Sequence, residues 1–441
     1  MRILLDAKDL TLAQGTGVAT YTRNVSRINA DLGNSVDLLH DFRLLRRGDS
    51  VLEEVSYYDR PPVRGRRVAD ALATIATVTA KLLLPHRSVR ARPVSVSGFV
   101  DKRALGANSA HFDRILTAPH VFRAAWAYFS LTGRFLPVRV DPVPEVAHWT
   151  LPMPIHHPGA RNVYTVHDVI PLKLPFSTLD NKRSYRRLIK AVVAKADQII
   201  TVSETTTKDL LELEQGAAPR ISNTFQSAKI PAEYLARSDE ENARTIANLL
   251  GLQHRKFFLF YSAIEPKKNL GRLIEAYLAS NSSFPLVIVG AKAWLADPEL
   301  HALRYETARS ALASDGSVSE TRAALLDHVS FGLLVALIRS ARAVLFPSIY
   351  EGFGLPILEA MMCGTPVLTS NFGAMREVAG PDAALLVDPF DVREIRQGID
   401  SLSRDDGLCQ LLAAAGPVRA EAFSWDRYRG RLAAAYQKAM A

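Results

Sequence analysis

The sequence predicts an α/β protein of two domains, and three observations lead there. Short apolar runs alternate with segments of helical periodicity, the pattern of βαβ units. An irregular stretch divides these runs into two series. The length of 441 residues also exceeds what one hydrophobic core usually supports.

The strands are expected at residues 2–5, 162–166, 198–202, 257–262, 286–290, 343–347 and 365–370. Each is a short apolar run, and most are followed by a turn and then a helical pattern, as in a buried parallel sheet. The first domain is assigned to residues 1–230 and the second to 257–422, joined by a linker at 231–256 with a helix near Asp239–Leu250. Residues 423–441 are amphipathic and are expected to pack back across both domains. Paired prolines, arginines and an apolar helix at 68–84 mark residues 42–140 as a basic insertion outside the central sheet.

Composition removes several classes. The chain is 48% apolar and 22% charged, which suits a globular fold rather than disorder. Two cysteines, Cys363 and Cys409, imply no disulfide framework and fit a reducing cytoplasm. The most apolar stretch, 68–84, is interrupted by Asp70 and Lys81, so a core or interfacial helix is expected there rather than a span. Net charge is +9, with ten Lys or Arg against two acids between Arg60 and Arg103. Lys182, Arg183, Arg186, Arg187, Lys190 and Lys195 crowd a second helix. Such stretches suit peripheral contact with the inner face of the plasma membrane, a phosphate-bearing acceptor, or simply a solvated helix face. Nucleic acid is not expected, because no helix-turn-helix, RNA-recognition or zinc-finger pattern is present.

The chemistry concentrates in residues 344–388. A strand ends at Pro347, a loop carries Glu351, Gly352, Phe353 and Gly354, and Pro356 opens a helix. Proline fits a first helical turn, whose N–H has no intrahelical partner. The glycines let backbone approach a ligand, and the free N–H groups with the helix dipole suit a diphosphate. Glu351 precedes the helix and Glu359 lies about one turn inside it, so two carboxylates can flank one ligand, at a sugar and at a ribose diol. The plain alternative is an N-terminal acid favouring the helix dipole plus a surface glutamate.

Residues 348–371 (SIYEGFGLPILEAMMCGTPVLTSN) and 376–389 (REVAGPDAALLVDP) resemble the donor-binding region of glycosyltransferase family 4. That family comprises retaining enzymes with two facing Rossmann-like domains, the GT-B fold. The resemblance implies that Glu351 contacts the transferred sugar and Glu359 the nucleotide ribose. It assigns the backbone of Gly352, Phe353, Gly354 and Leu355 to diphosphate and sugar oxygens. Residues 258–273 (FLFYSAIEPKKNLGRL) resemble the strand and loop that open the family's second domain. Lys267 and Lys268 match its basic pair, with Lys268 expected to neutralise the leaving diphosphate. Ser262 stands where many members carry arginine. Gly15 and Gly17 match the loop facing the donor across the cleft. Residues 164–172 (YTVHDVIPL) match a strand ending in His-Asp, which implies that His167 positions the sugar. Ser203, in the following corner, is expected only as a helix N-cap.

The implied activity is transfer of a hexose, with mannose from GDP-mannose the best match, to a glycan or lipid-linked acceptor in surface polysaccharide synthesis. No Asp-x-Asp motif is present, so neither metal nor cofactor is expected. One departure stands out: residues 328–341 (HVSFGLLVALIRSA) run into a helix as though a family loop were shortened. That departure and Ser262 leave open a degenerate, non-catalytic partner, and the shared architecture leaves open a sugar-nucleotide epimerase. A dinucleotide oxidoreductase would need a third glycine after Gly15 and Gly17.

Overall fold

A computed structural model describes residues 1–11, 17–45, 48–59, 67–84, 87–101, 110–293, 296–301 and 322–441. Gly15 therefore lies outside the described residues. Two large sheets carry the chain. The first has eight strands in the spatial order Ile221–Asn223, Gln198–Thr201, Arg161–Val166, Val146–Trp149, Arg2–Asp6, Ser35–His40, Arg114–Thr117 and Arg92–Val94. All neighbours are parallel except the last pair, which is antiparallel. The second has six parallel strands in the order Ala323–Leu326, Leu286–Val289, Phe258–Tyr261, Ala343–Phe346, Val367–Ser370 and Leu385–Val387. A three-stranded sheet (Val89–Arg90, Leu136–Arg139, Ile155–His156) completes the first half.

Helices cover both faces of each large sheet, so the central strands are buried throughout, as Phe258–Tyr261 and Ala343–Phe346 are. Strand order reverses in each sheet: between Arg2–Asp6 and Val146–Trp149 in the first, and between Phe258–Tyr261 and Ala343–Phe346 in the second. At such a switch point the loops leaving the strand C-termini diverge and open a crevice. The register fixes both, pairing Leu5 with His148 and Leu259 with Val344.

One expectation needs correction. Residues 42–140 are not wholly an insertion, because Arg114–Thr117 pairs in parallel with Ser35–His40 inside the main sheet. Arg92–Val94 then forms its edge. The reason is an ion pair: Arg114 donates two hydrogen bonds to Asp37, the closer at 2.6 Å. A buried Asp37 and a half-buried Arg114 thus stand where an apolar run would have marked strands.

The helix Asp239–Leu250 is closed by a capping box between Ser238 and Glu241 and by Gly251 in the left-handed conformation. It packs on Phe331–Ser340 of the second half, with Arg339 bonded to Asp239. The final helix, Trp425–Met440, crosses back to the first half. The Trp425 indole donates to Asp31 at 2.7 Å, and the Tyr436 hydroxyl meets His148 Nδ1 at 2.8 Å and Asn29 Nδ2 at 3.2 Å. Tyr436 is fully buried, so Tyr436→Phe should leave His148 and Asn29 short of a partner. The expected cost is about 1–3 kcal/mol, read as a lower midpoint in chemical denaturation.

Candidate active site

The loops that leave the second sheet at its switch point bring the basic pair and the first glutamate together. Residues Pro266–Lys268 form one 3₁₀ turn, which ends at Asn269 in the left-handed conformation with φ 61°. The Asn269 amide donates to the Pro347 carbonyl at 2.9 Å and the Pro389 carbonyl at 2.7 Å, which ties this turn to the strand end opposite. Ile349 N donates to the Lys267 carbonyl at 2.8 Å, completing the splice.

Lys268 Nζ then donates to Glu351 Oε1 at 2.7 Å, and Ser348 Oγ donates to the same oxygen at 2.7 Å. Glu351 is only 8% exposed. Burial alone would raise its carboxyl, but Lys268 and Lys267 outweigh burial and hold it below the usual carboxylate range. Lys267 lies against Glu265 at 3.3 Å. Burial disfavours its charge, yet Glu351, Asp168 and Glu265 together push its ammonium upward. Glu351 and Lys267 are therefore both ionised at neutral pH.

The following turn is shaped by glycine. Gly354 has φ +114° and is the N-cap of the helix Leu355–Met362, with no side chain to accept from the first N–H groups. Pro356 sits in the first turn. Glu359 lies one turn in. It keeps partial access to solvent, but protein surrounds the carboxyl closely enough that burial raises it to about 7. The Tyr261 hydroxyl lies beside it and donates to the Pro356 carbonyl at 2.8 Å. Ser262 follows Tyr261, and its carbonyl leaves no room at Gly290, where a Cβ would come within 1.8 Å.

The first half meets this site at His167. A Cβ on Gly352 would lie 2.2 Å from the His167 carbonyl oxygen, so only glycine permits the two loops to touch. Thr206 Oγ1 donates to the His167 carbonyl at 2.9 Å and reaches the Gly352 carbonyl at 3.3 Å. The His167 ring donates from Nε2 to the Thr150 carbonyl at 2.8 Å. A carbonyl only accepts, so Nε2 carries the proton and Nδ1 keeps its lone pair. Burial lowers the imidazole's pKa, against the Thr150 carbonyl and Asp168, so the ring is neutral at physiological pH. Tyr21 packs edge-on to it at 4.7 Å, one turn into the helix that Gly17 opens. A Cβ on Gly17 would meet open space, so packing among the described residues does not demand glycine there.

Of the residues singled out in the sequence, His167, Lys267, Lys268, Glu351, Gly352, Phe353, Gly354 and Leu355 converge on one region. Glu359 and Ser262 flank Tyr261 at its other end. Several partners escaped the sequence reading. Asp6 is buried, raised by burial to about 6, and accepts from Thr150 N at 2.5 Å and Thr150 Oγ1 at 3.0 Å. It thereby supports the carbonyl that holds His167. Glu377 accepts from Glu204 N at 2.6 Å and Thr205 N at 3.1 Å, capping a helix of the opposite domain. Tyr350 donates across to Asp209. Ser203 is the N-cap expected, accepting from Thr206 N at 3.0 Å. At residues 328–341, Ser330 caps the helix Phe331–Ser340, and Tyr234 packs against its first turn at Gly332. Among the described residues no group of three or more His, Cys, Asp or Glu is arranged to hold a metal.

Two facing α/β domains with a shared cleft and a returning helix are the GT-B architecture. A sucrose-phosphate synthase of Thermosynechococcus elongatus superimposes with a TM-score of 0.64 over 99% of this chain and 98% of that one, at 18% identity. HepE of Anabaena, solved with UDP-glucose, gives 0.64 over 98% of each chain at 14% identity. Residues 244–419 match the family model described as glycosyl transferases group 1. The O-antigen chain mannosyltransferase B of Escherichia coli is 30% identical over 286 residues, 64% of this chain and 71% of that protein. The O-antigen chain mannosyltransferase RfbU of Salmonella typhimurium is 29% identical over 259 residues, 56% of this chain and 65% of that one. The serotype-specific mannosyltransferase WbdA of Escherichia coli is 28% identical over 63% of this chain, which spans 33% of its length.

The chain belongs to the glycosyl transferases group 1 family and is a glycosyltransferase.

Gly352→Ala tests the contact between the two loops. The added methyl must displace either His167 or the Glu351 turn. Transfer should fall about 10²-fold while the folded fraction, read by circular dichroism, is retained.

Proposed function

We propose that this chain transfers a mannosyl residue from GDP-mannose to a glycan or lipid-linked acceptor during surface polysaccharide synthesis, with retention at the anomeric carbon. The observation that carries the reading is the buried Lys268–Glu351 pair beside a glycine-opened helix start at the sheet's switch point. The sugar is suggested by the relatives, three of which are described as mannosyltransferases.

In this reading the donor's diphosphate lies over the N-terminus of Leu355–Met362, where backbone N–H groups of Gly352 to Leu355 meet its oxygens. Lys267 and Lys268 add positive charge. As the sugar–phosphate bond breaks, its electron pair passes to the phosphate oxygen, and these groups stabilise the charge that develops. Glu351 accepts hydrogen bonds from the sugar hydroxyls, and neutral His167 accepts another through Nδ1. The acceptor hydroxyl attacks from the face the phosphate leaves and gives its proton to that phosphate. Neither glutamate acts as a general acid or base. The charge is balanced by protein groups, so the reaction proceeds without a metal. Glu359 accepts from the ribose diol.

A thermal-shift panel of GDP- and UDP-sugars, run with a chelator present, tests the donor. GDP-mannose near 100 times its dissociation constant should stabilise the fold by about 2.7 kcal/mol. No response to any sugar nucleotide would sink the reading. Glu351→Gln leaves Lys268 buried without its carboxylate, so it should lower the unfolding midpoint while the chain stays folded at room temperature, and lower transfer about 10²-fold, measured as product formed from GDP-mannose.

Glu359 adds a pH dependence. Its folded value is about 7, so ionisation is completed only as pH rises through neutrality. GDP affinity, followed by calorimetry from about pH 6 to about pH 8, should therefore rise with pH. Glu359→Gln should flatten that profile; an unchanged slope would remove Glu359 from the ribose.

A further inference from the structure

The helix Arg67–Leu83 is amphipathic in the wrong sense for a helix that merely covers a sheet. It turns Thr74, Val78 and Lys81 inward. Its opposite side holds Leu72, Ile75 and Leu83, which are 62%, 60% and 74% exposed. These positions follow helical spacing, so they form one outward apolar stripe, flanked by the exposed Leu82. Lys81 Nζ donates to the Arg87 carbonyl at 2.8 Å, which stitches the helix end to the loop that follows. A globular protein ordinarily buries such a stripe and exposes its lysine.

The surroundings are basic. Helix Arg67–Leu83 packs on Val121–Thr132, whose end is bordered by Arg187 of the next helix, Lys182–Lys195. The Arg187 guanidinium lies over the Phe129 ring at 5.5 Å. Val78 of Arg67–Leu83 and Leu188 and Val192 of Lys182–Lys195 enter the same hydrophobic core, together with Phe129, so the two helices share one side of the domain. Arg183, Arg187 and Lys190 form an exposed stripe on Lys182–Lys195, which contains no acid.

We propose that this side of the first domain seats on an anionic lipid bilayer. Leu72, Ile75 and Leu83 enter the headgroup boundary, and Arg183, Arg187 and Lys190 meet lipid phosphates. Apolar insertion and attraction to anionic lipid act together at such a surface. A symmetric dimer through the same side would set like-charged arginine stripes against each other, which disfavours a second copy as the occupant. The proposal rests on the lipid-linked acceptor in the reading above, and it supplies a surface that would hold the enzyme beside that acceptor.

Flotation with vesicles tests it without any donor, so its failure is separable from failure of the donor assignment. The full chain should bind vesicles containing phosphatidylglycerol and bind pure phosphatidylcholine about tenfold more weakly. The combined substitution Leu72→Gln, Ile75→Gln, Leu83→Gln should lower binding to the anionic vesicles about tenfold or more. Its unfolding midpoint and its thermal response to GDP-mannose should stay unchanged. Wild-type protein that ignores anionic vesicles would overturn the proposal, as would a variant that binds them equally well. So would a wild-type dimer in sedimentation equilibrium that the variant converts to monomer.

Discussion

Everything in the cleft depends on the buried ion pair between Lys268 and Glu351. Each partner alone would be a desolvated charge, and breaking such a pair typically costs about 3–5 kcal/mol. The pair is worth forming here because the backbone has already brought its two loops together. Asn269 spans from one strand end to the other, and Ser348 satisfies the same carboxylate oxygen that Lys268 uses. The result is a preorganised positive centre held by an acid, placed where parallel strand order reverses.

The other half of the molecule is keyed to that centre through backbone rather than charge. The His167 carbonyl lies where a Gly352 side chain would be, and Thr206 bonds to the carbonyls of both residues. Behind His167 runs a chain of hydrogen bonds: Tyr21 to Thr165 at 2.8 Å, Thr165 to His148 at 2.8 Å, and His148 to Tyr436 at 2.8 Å. Tyr436 belongs to the returning helix, so this chain of bonds runs from the crossover to Tyr21, whose ring packs edge-on to His167. Glu377 adds a second tie by capping a helix of the opposite domain. These contacts join the two domains across the cleft.

The second domain was the more legible half. Its central strands are apolar four-residue runs such as FLFY and AVLF, buried on both faces, and such runs announce themselves. The first domain hides its strands behind polar chemistry. Ser35–His40 contains a buried Asp37 that is neutralised by Arg114 from a neighbouring strand nearly eighty residues on. No local pattern reveals that pairing. The same holds for the site. Glu351, Lys268 and Gly352 stand inside recognisable motifs, whereas Asp6 and Thr150 matter only through a contact 144 residues apart in sequence. Glu377 lies within a quoted motif, yet its capping role needs the other domain in place. Lys268 and Glu351 stand in separate motifs 83 residues apart, and only the fold joins them.

The central claim is that this cleft moves a mannosyl group with retention, using protein charge in place of a metal. The most direct measurement is the anomeric configuration of product formed from α-linked GDP-mannose, read by proton–carbon coupling in NMR. The account predicts an α-mannoside formed in the presence of a chelator. A β-mannoside, or transfer that requires an added divalent cation, would contradict it.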